Sequence, residues 1–439
     1  MNRPHPIALS LWGRLVFALN RLGEKLWVKP LLLCLVSLLG VALAALADHL
    51  APAAPLPEIS ADTLETLLRI ISSSMLVIAV FAAGSMLSAY ASAGTVATPR
   101  AFAVVVADDI SQYALSTFIG AFIFGIVALI ALLNGLYGRT GRFALFLLTA
   151  LVFAVVVLSF VTWVDRIARL GRVTHTIAQI EAVAWRVLEA RGLQPSLGAL
   201  PTTPDPGMAS PAGVGAIPLW AAEVGYLQRI DLGTLQLLAE EIDGQVEVAS
   251  LPGAFVTPTR VLAYLHSDHS PAPADLERLV SAFLVGDRRT FDDDPRFALV
   301  VLSEIASRAL SPAVNDPGTA IHIIGTLVRL FCRWAEVCAE RQRQTPRPPR
   351  YDRVRVPELD LEDLFEDAFQ ALGRDGASTL EVGLRLQKGL YRLSLLPLAG
   401  VGEAARAQAR LALEHGQQAL RIAAEQERLR QAAGWAQPG

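Results

Sequence analysis

Four long stretches of the chain contain no charged residue, and they restrict the possible folds more than any other feature. They cover 30–47, 70–99, 110–138 and 143–164, which together make 99 of the 439 residues. A helix needs roughly 20 apolar residues to cross the hydrocarbon core of a bilayer. The pattern therefore predicts an α-helical membrane protein with a four-span membrane domain over 30–165. The predicted transmembrane helices are about 30–48, 70–93, 113–135 and 143–164.

The rest of the chain has the composition of a soluble domain. All 79 charged residues fall in the other 340, about 23%, which is close to the roughly 25% of ordinary soluble domains. The formal net charge is −3, so no excess of basic residues indicates a nucleic-acid partner. The lipid bilayer is the first partner that the composition predicts.

Most of the Lys and Arg residues near the predicted spans lie on one side of them. Residues 1–29, 94–113 and 165–191 hold eleven, against three on the other side. Because Lys and Arg are enriched in cytoplasmic loops, we expect a multi-pass inner (plasma) membrane protein with both termini cytoplasmic and the linker 50–69 external. Residues 1–29 are predicted to form an interfacial amphipathic helix. The alternative is a signal peptide cleaved after Ala47.

The predicted second span carries a row of hydroxyl residues on one helical face. They are Ser74, Ser85, Ser88, Ser92 and Thr95. One interpretation is close helix packing, with each hydroxyl bonded to the preceding turn. The other is a hydroxyl-lined path for water or small ions that is closed by oligomerisation. No predicted span has an ionisable residue at mid-depth, which argues against proton relays and ion-coupled transport.

The region after the spans is predicted to be a cytoplasmic α+β domain that is mainly helical. Apolar residues recur at helical spacing after span four, and a Pro- and Gly-rich stretch and short alternating segments follow. The predicted segments are a helix continuing span four (166–194), a linker (195–218), a small α/β subdomain (219–270), a helical subdomain (271–343), a Pro/Arg loop (344–358) and C-terminal helices (359–433). Within the helical subdomain, helices are predicted over 275–285, 296–310 and 317–343, and the last C-terminal helix over 403–431.

Several motifs resemble a bacterial family of predicted integral membrane proteins known as domain of unknown function 2254. They are 225–231 (GYLQRID), 252–256 (PGAFV), 289–290 (RT) with Asp294, 297–299 (FAL), 305–317 (IASRALSPAVNDP), 98–100 (TPR) with Ser92, and 117–120 (TFIG). The resemblance covers roughly 10–400. It implies four spans with a cytoplasmic C-terminal domain, and it implies no established activity.

The densest polar cluster lies at 286–317. Its sequence predicts two helix N-termini and one ion pair within a helix. Asp294 and Asp316 each precede a proline, which predicts an N-cap with proline at the first helical position. Glu304 and Arg308 are spaced as a helical ion pair.

Four other polar residues of that cluster have no such explanation. They are Arg288, Arg289, Thr290 and Asn315. One hypothesis is a small anionic ligand held by the arginines and by a helix N-terminus. The other is a structural corner of a helix hairpin.

No enzyme motif is found in the sequence. It contains no phosphate loop, metalloprotease motif or nucleophile elbow, and we predict no catalytic residues, no metal and no cofactor. Cys34, Cys332 and Cys338 are predicted to be reduced thiols. The expected function is a homo-oligomeric passive channel gated by its cytoplasmic domain. The alternatives are a non-conducting membrane-anchored regulator, sensor or scaffold, and then a membrane enzyme.

Overall fold

The chain divides into two compact units, Met1–Thr176 and Ile177–Gly439. The computed structural model describes residues 28–50, 57–96, 98–101, 109–167, 172–202, 216–345 and 348–436. The predicted interfacial helix over 1–29 therefore lies almost wholly outside the described residues. Most of the described chain is helical, with two small sheets in the second unit.

The described part of the first unit contains four long helices. They are α1 (Val28–Leu50), α2 (Ala61–Val96), α3 (Asp109–Leu133) and α4 (Arg139–Ile167). Three helical segments are long and apolar enough to cross a membrane, and α1 carries a shorter apolar stretch, Leu31–Leu46. Each predicted span falls on one of these helices to within a few residues.

The helix α2 begins earlier than the predicted second span. Ser60 Oγ accepts a hydrogen bond from the Thr63 backbone N–H at 3.1 Å, as an N-cap residue does. An ion pair from Arg69 to Glu65, one turn apart, supports the first turns. The expected linker 50–69 is therefore helical from Ala61 onward.

Apolar side chains and small residues pack the four helices together. One cluster contains Leu64, Leu68, Phe124 and Leu145, and a second surrounds Trp163. The helix α3 packs against all three of the others. Its central position explains why it is the most buried of the apolar helices.

The predicted continuous helix after span four is divided in the structure. The helix α4 ends at Ile167, and α5 (Val173–Leu193) is a separate helix. Arg172 belongs to neither, and residues 168–171 lie outside the described chain. Gly171 stands two residues before the start of α5 in the sequence, and glycine lowers helix stability.

The second unit contains two sheets around one apolar core. The five-stranded sheet has the order β1-β8-β4-β6-β2, and the three-stranded sheet has the order β5-β3-β7. The strands are β1 (Ala199–Pro201), β2 (Ile217–Trp220), β3 (Gly225–Ile230), β4 (Gly244–Val248), β5 (Phe255–Val256), β6 (Val261–Ser267), β7 (Phe283–Gly286) and β8 (Tyr351–Val356). The helices α6 (Leu232–Glu241) and α7 (Pro273–Ser281) pack with them.

Three segment predictions need correction here. The expected linker 195–218 contains strand β1, and the expected loop 344–358 contains β8, which pairs in parallel with both β1 and β4. The helix expected over 275–285 ends at Ser281, and β7 follows it. Each of these strands is short and forms only a few backbone hydrogen bonds. Pairing with the neighbouring strands stabilises it more than the β propensity of its own residues does.

The helical part of the second unit follows the predicted pattern. It contains α8 (Pro295–Ala309), α9 (Pro317–Arg343), α10 (Leu361–Asp375), α11 (Leu380–Ser394), α12 (Val401–Ala419) and α13 (Ala423–Ala432). The helix expected over 403–431 is split near Leu420. The rings of Phe331, Phe365 and Phe369 lie 4.6–5.8 Å apart in the core between α9 and α10.

Candidate functional site

The predicted hydroxyl row on α2 lies on the outside of the first unit. Ser74 and Ser88 are exposed and Ser85 is half-buried, while the side chains of Ser92 and Thr95 lie outside the described residues. Within the described chain, the hydroxyls of Ser74, Ser85 and Ser88 take part in no hydrogen bond. The described part of this face is therefore not packed tightly against the other described helices.

A different set of hydroxyls packs between the helices. Ser72, Ser116 and Thr149 are buried, and each donates to the backbone carbonyl four residues earlier, at 2.6–2.7 Å. Such a bond satisfies the hydroxyl within its own helix. The buried and the exposed hydroxyls thus differ in both position and bonding.

Close approach of α2 and α3 depends on Gly125. A Cβ at this position would overlap the Ser72 hydroxyl, whereas a Cβ at Gly84, on the exposed face of α2, would meet nothing within 4 Å. The pair of small residues in α3, Ala121 and Gly125, is buried at a helix contact. The corresponding pair in α2, Gly84 and Ser88, is open.

In the second unit, the predicted cluster centres on Asp294. This carboxylate is 2% exposed and accepts the N–H of Phe297 at 3.1 Å, so it is the N-cap of α8. Arg289 Nε donates to Asp294 Oδ2 at 2.7 Å, and its guanidinium lies over the Phe297 ring. Burial raises the pKa of the Asp294 carboxyl, against the opposing effect of Arg289.

The glycine turn of 252–256 packs directly against this carboxylate. Gly253 has φ +95°, a conformation that favours glycine, and a Cβ there would overlap the Asp294 carboxylate. Its N–H donates to Leu227 O at 2.8 Å. Nearby, Gln228 Nε2 donates to Arg288 O at 2.8 Å. The motifs 225–231, 252–256 and 289–294 therefore form one structural corner.

The rest of the predicted cluster is dispersed. The Arg288 side chain is exposed and, among the described residues, bonds only to its neighbour Asp287, and Thr290 is half-buried. Asp316 is exposed and caps α9 through Thr319 at 3.1 Å, which lowers the pKa of the Asp316 carboxyl. Asn315 adopts φ +50° in the turn before it. Because Asn315 lies beyond the far end of α8, it does not join Arg289 in one site.

The ion pair that the sequence predicts within α8 does not form. Glu304 and Arg308 are both half-buried on α8, and the described ion pairs do not include one between them. The arginine of α8 that does pair is Arg296, which binds Asp363 and Asp367 of α10.

The sequence analysis missed Arg191, near the end of α5. This side chain is 4% exposed, and its Nε and Nη1 atoms find no hydrogen-bond partner among the residues that the structure describes. Burial lowers the pKa of Arg191 to about 10, while the carboxylates of Glu358 and Asp293 oppose the shift. The indole Nε1 of Trp334, which packs at Gly192, is also buried without a partner.

A pattern in the sequence could have identified Arg191 as a candidate site residue. Ile177, Ile180, Ala184 and Leu188 are buried on one face of α5, and Arg191 continues that face at helical spacing. A charged residue at a predicted core position is the type of exception that marks a functional site.

The described residues contain no group of three or more His, Cys, Asp or Glu side chains arranged to hold a metal. Cys332 and Cys338 are free, and burial raises the pKa of both thiols. A raised thiol pKa disfavours the reactive thiolate.

A unit of long apolar helices, joined along the chain to a unit of mixed helices and strands, is typical of a membrane protein. More specifically, the chain belongs to the family of predicted membrane proteins known as domain of unknown function 2254, whose model matches residues 23–392. This confirms the resemblance in the sequence motifs.

Two mycobacterial proteins are similar to part of the chain. The uncharacterized proteins Mb1321c of Mycobacterium bovis and Rv1290c of Mycobacterium tuberculosis are each 34% identical to it over 113 residues. The match covers 25% of this chain and 22% of each relative, so the chain spans about a fifth of the length of the curated relatives it matches. No solved structure matches the chain significantly.

Proposed function

We propose that this protein is a homo-oligomeric passive channel for small ions or solutes in the bacterial inner membrane. It spans the bilayer four times with both termini in the cytoplasm, and its α/β unit gates the path. The observation that carries the proposal is the exposed face of α2, with Ser74, Ser85 and Ser88. Hydroxyls that make no hydrogen bond to the described part of the chain can face water in a pore between copies.

The packing of α1 supports a fourth span. This helix has 23 residues, about 34 Å at 1.5 Å per residue, which exceeds the roughly 30 Å hydrocarbon core. Ser37 Oγ donates to Gly120 O of α3 at 3.2 Å, and Tyr137 donates to Val41 O at 3.3 Å. The helix therefore packs along its length with helices that can span.

The composition of the spans favours passive transport. The stretches 70–99, 110–138 and 143–164 contain no Asp, Glu, Lys, Arg or His. Coupled transporters and proton pumps use ionisable groups at membrane depth. A path lined by hydroxyls alone has no site at which to couple a proton.

Flux measurements in liposomes test conduction directly. Ser88→Leu places a bulky apolar side chain on the proposed pore face, so we expect at least tenfold lower flux than in the wild type. Thr162→Leu is the matched control, because Thr162 is an exposed hydroxyl on α4 that is bonded to its own helix. Wild-type flux no greater than that of empty vesicles contradicts the channel.

Disulfide cross-linking tests the oligomer separately. The three native cysteines are replaced by alanine, and Ser88→Cys is compared with Thr162→Cys under mild oxidation. We expect covalent dimers only for Ser88→Cys, because only that position faces a second copy. Equal cross-linking of both variants would show that α2 is not the contact.

A second candidate function is a non-conducting regulator that responds to an anion bound at Arg191. A buried guanidinium whose N–H groups make no hydrogen bond lowers the stability of the folded state, unless a bound anion accepts those hydrogen bonds. Phosphate at constant ionic strength should raise the unfolding temperature of the full chain in detergent, in a saturable manner.

Two variants test this candidate. Arg191→Met should abolish the response to phosphate and stabilise the ligand-free protein by about 1–3 kcal/mol, since it removes a buried charge that is not fully hydrogen-bonded. Arg288→Gln, which removes an exposed arginine, should keep the response. A phosphate response that survives Arg191→Met rejects the site.

A further inference from the structure

A cavity of about 560 Å³ opens between α9 and α11 in the second unit. Its floor is apolar and consists of Ile324, Gly325 and Val328 of α9 with Gly389 of α11. The two helices approach closely at Gly389, where a Cβ would lie 3.0 Å from Val328 Cγ2. At Gly325 a Cβ would meet nothing within 4 Å, so the floor is open there. The volume lies within the range of small-molecule sites, about 300–1,000 Å³.

Three cations form the rim of this cavity. Arg385, Lys388 and Arg392 follow one another along one face of α11, and all three are exposed. The remaining lining residue is Tyr391, so the wall contains no carboxylate. Among the described residues, none of the three cations has an ion-pair partner or a side-chain hydrogen bond.

Some other basic groups of the same helical part are paired with carboxylates. Arg329 of α9 pairs bidentately with Glu181 at 2.7 and 2.8 Å, and Arg296 of α8 pairs with two aspartates. Like charges one turn apart on a helix repel each other. A ligand that brings negative charge to the rim removes this repulsion.

We infer that the cavity binds an acidic phospholipid, with the anionic headgroup at Arg385, Lys388 and Arg392 and the start of an acyl chain over the apolar floor. A free phosphate would use the rim but leave Ile324 and Val328 facing water. An amphiphile places its charged headgroup at the cationic rim and its acyl chain over the apolar floor. A membrane protein meets such lipids at high local concentration, and the inference is independent of whether the protein conducts.

Binding is tested with the full chain in an uncharged detergent and with dioctanoyl phosphatidylglycerol as the probe, by isothermal titration calorimetry. Dioctanoyl phosphatidylcholine has the same tails without net charge, and glycerol phosphate has the charge without tails. We expect saturable binding of phosphatidylglycerol that is at least tenfold tighter than binding of either comparison compound.

Two variants separate the rim from the floor. Combined replacement Arg385→Gln, Lys388→Gln and Arg392→Gln should weaken phosphatidylglycerol about 100-fold, because each cation near an acidic lipid contributes attraction. Gly325→Leu fills the open floor and keeps all charges, so it should weaken the lipid but not glycerol phosphate. Leucine also favours the helix over glycine, so this variant is expected to fold.

The control is Arg421→Gln, which removes an exposed arginine outside the cavity and should leave binding unchanged. Equal binding of phosphatidylcholine, or full binding by the triple variant, overturns the inference. Glycerol phosphate binding as tightly as the lipid would make this a free-anion site and would also overturn it. Loss of lipid binding leaves the flux result unaffected, so the two proposals fail independently.

Discussion

Asp294 and Asp316 perform the same task in very different surroundings. Each caps a helix that begins with proline, but Asp294 is 2% exposed and paired with Arg289, while Asp316 is exposed. Removing an exposed cap costs about 1 kcal/mol. Removing one member of a buried ion pair leaves the other charge uncompensated and costs about 3–5 kcal/mol.

We therefore expect Asp294→Ala to destabilise the second unit by about 3–5 kcal/mol and Asp316→Ala by about 1 kcal/mol. Urea denaturation of the full chain in detergent, followed by tryptophan fluorescence, measures both. Similar losses for the two variants would show that burial of the Asp294–Arg289 pair adds nothing beyond capping.

The raised pKa of Asp294 gives a pH dependence with a defined sign. The folded carboxyl holds its proton at a higher pH than the unfolded one, whose pKa is about 3.9. The folded state thus binds more protons in that window, and the free energy of unfolding falls as pH rises from about 4 to the folded pKa. We expect a smaller fall for Asp294→Asn, measured as unfolding midpoints from pH 4 to 7. Identical slopes in the two proteins contradict the assignment.

Residue-level prediction from the sequence succeeded where the cause was local. The Asp-Pro pairs predicted both N-caps, because capping depends on the next three residues. It failed at Arg191, Glu304 and Arg308, because their surroundings come from distant segments. The structure also separates Asn315 from Arg289, which one continuous motif in the sequence had placed together.

In the first unit, a glycine matters for helix packing only where the neighbouring helix approaches it closely. Gly125→Ala should destabilise this unit by about 1–3 kcal/mol, because the added methyl overlaps the Ser72 hydroxyl. Gly84→Ala adds the same methyl at an open site and should be neutral or slightly stabilising. Thermal unfolding of the purified variants in detergent measures the difference.

A double variant identifies the contact. Ser72→Ala removes the overlapping oxygen, so in the Gly125→Ala background it should restore part of the lost stability. If the double variant is less stable than Gly125→Ala alone, another contact limits the approach of α2 and α3.

At the scale of elements, the long helices were predictable and the strands β1, β7 and β8 were not. Apolar runs and 3–4 spacing are properties of the segments themselves, so the helices of both units appear near their predicted positions. In the strand β8, Arg353 and Arg355 alternate with the buried Val354 and Val356, and the strand follows a Pro-rich stretch. Its pairing with β4 is what stabilises it, and no local pattern reveals a partner about 100 residues away.

Orientation in the membrane is a property of the whole molecule. In a variant without native cysteines, we expect Asn134→Cys, in the connection between α3 and α4, to react with an impermeant maleimide on intact cells. Arg421→Cys should react only after permeabilisation, because the proposed topology, which follows the excess of positive residues, has the second unit in the cytoplasm. Both positions are exposed in the structure. The reverse labelling pattern would invert the proposed topology.

The position of β8 inside the five-stranded sheet also sets an order of assembly during synthesis. Its neighbours β1 and β4 are translated far earlier. Neither of them can form all of its backbone hydrogen bonds within the sheet until β8 has been synthesised. While the ribosome is still making the intervening helices, β4 presents an unpaired edge, and such edges promote association between chains. Premature termination between the end of β7 and residue 351 would therefore leave nascent chains prone to aggregate, even though most of the α/β sequence had already emerged.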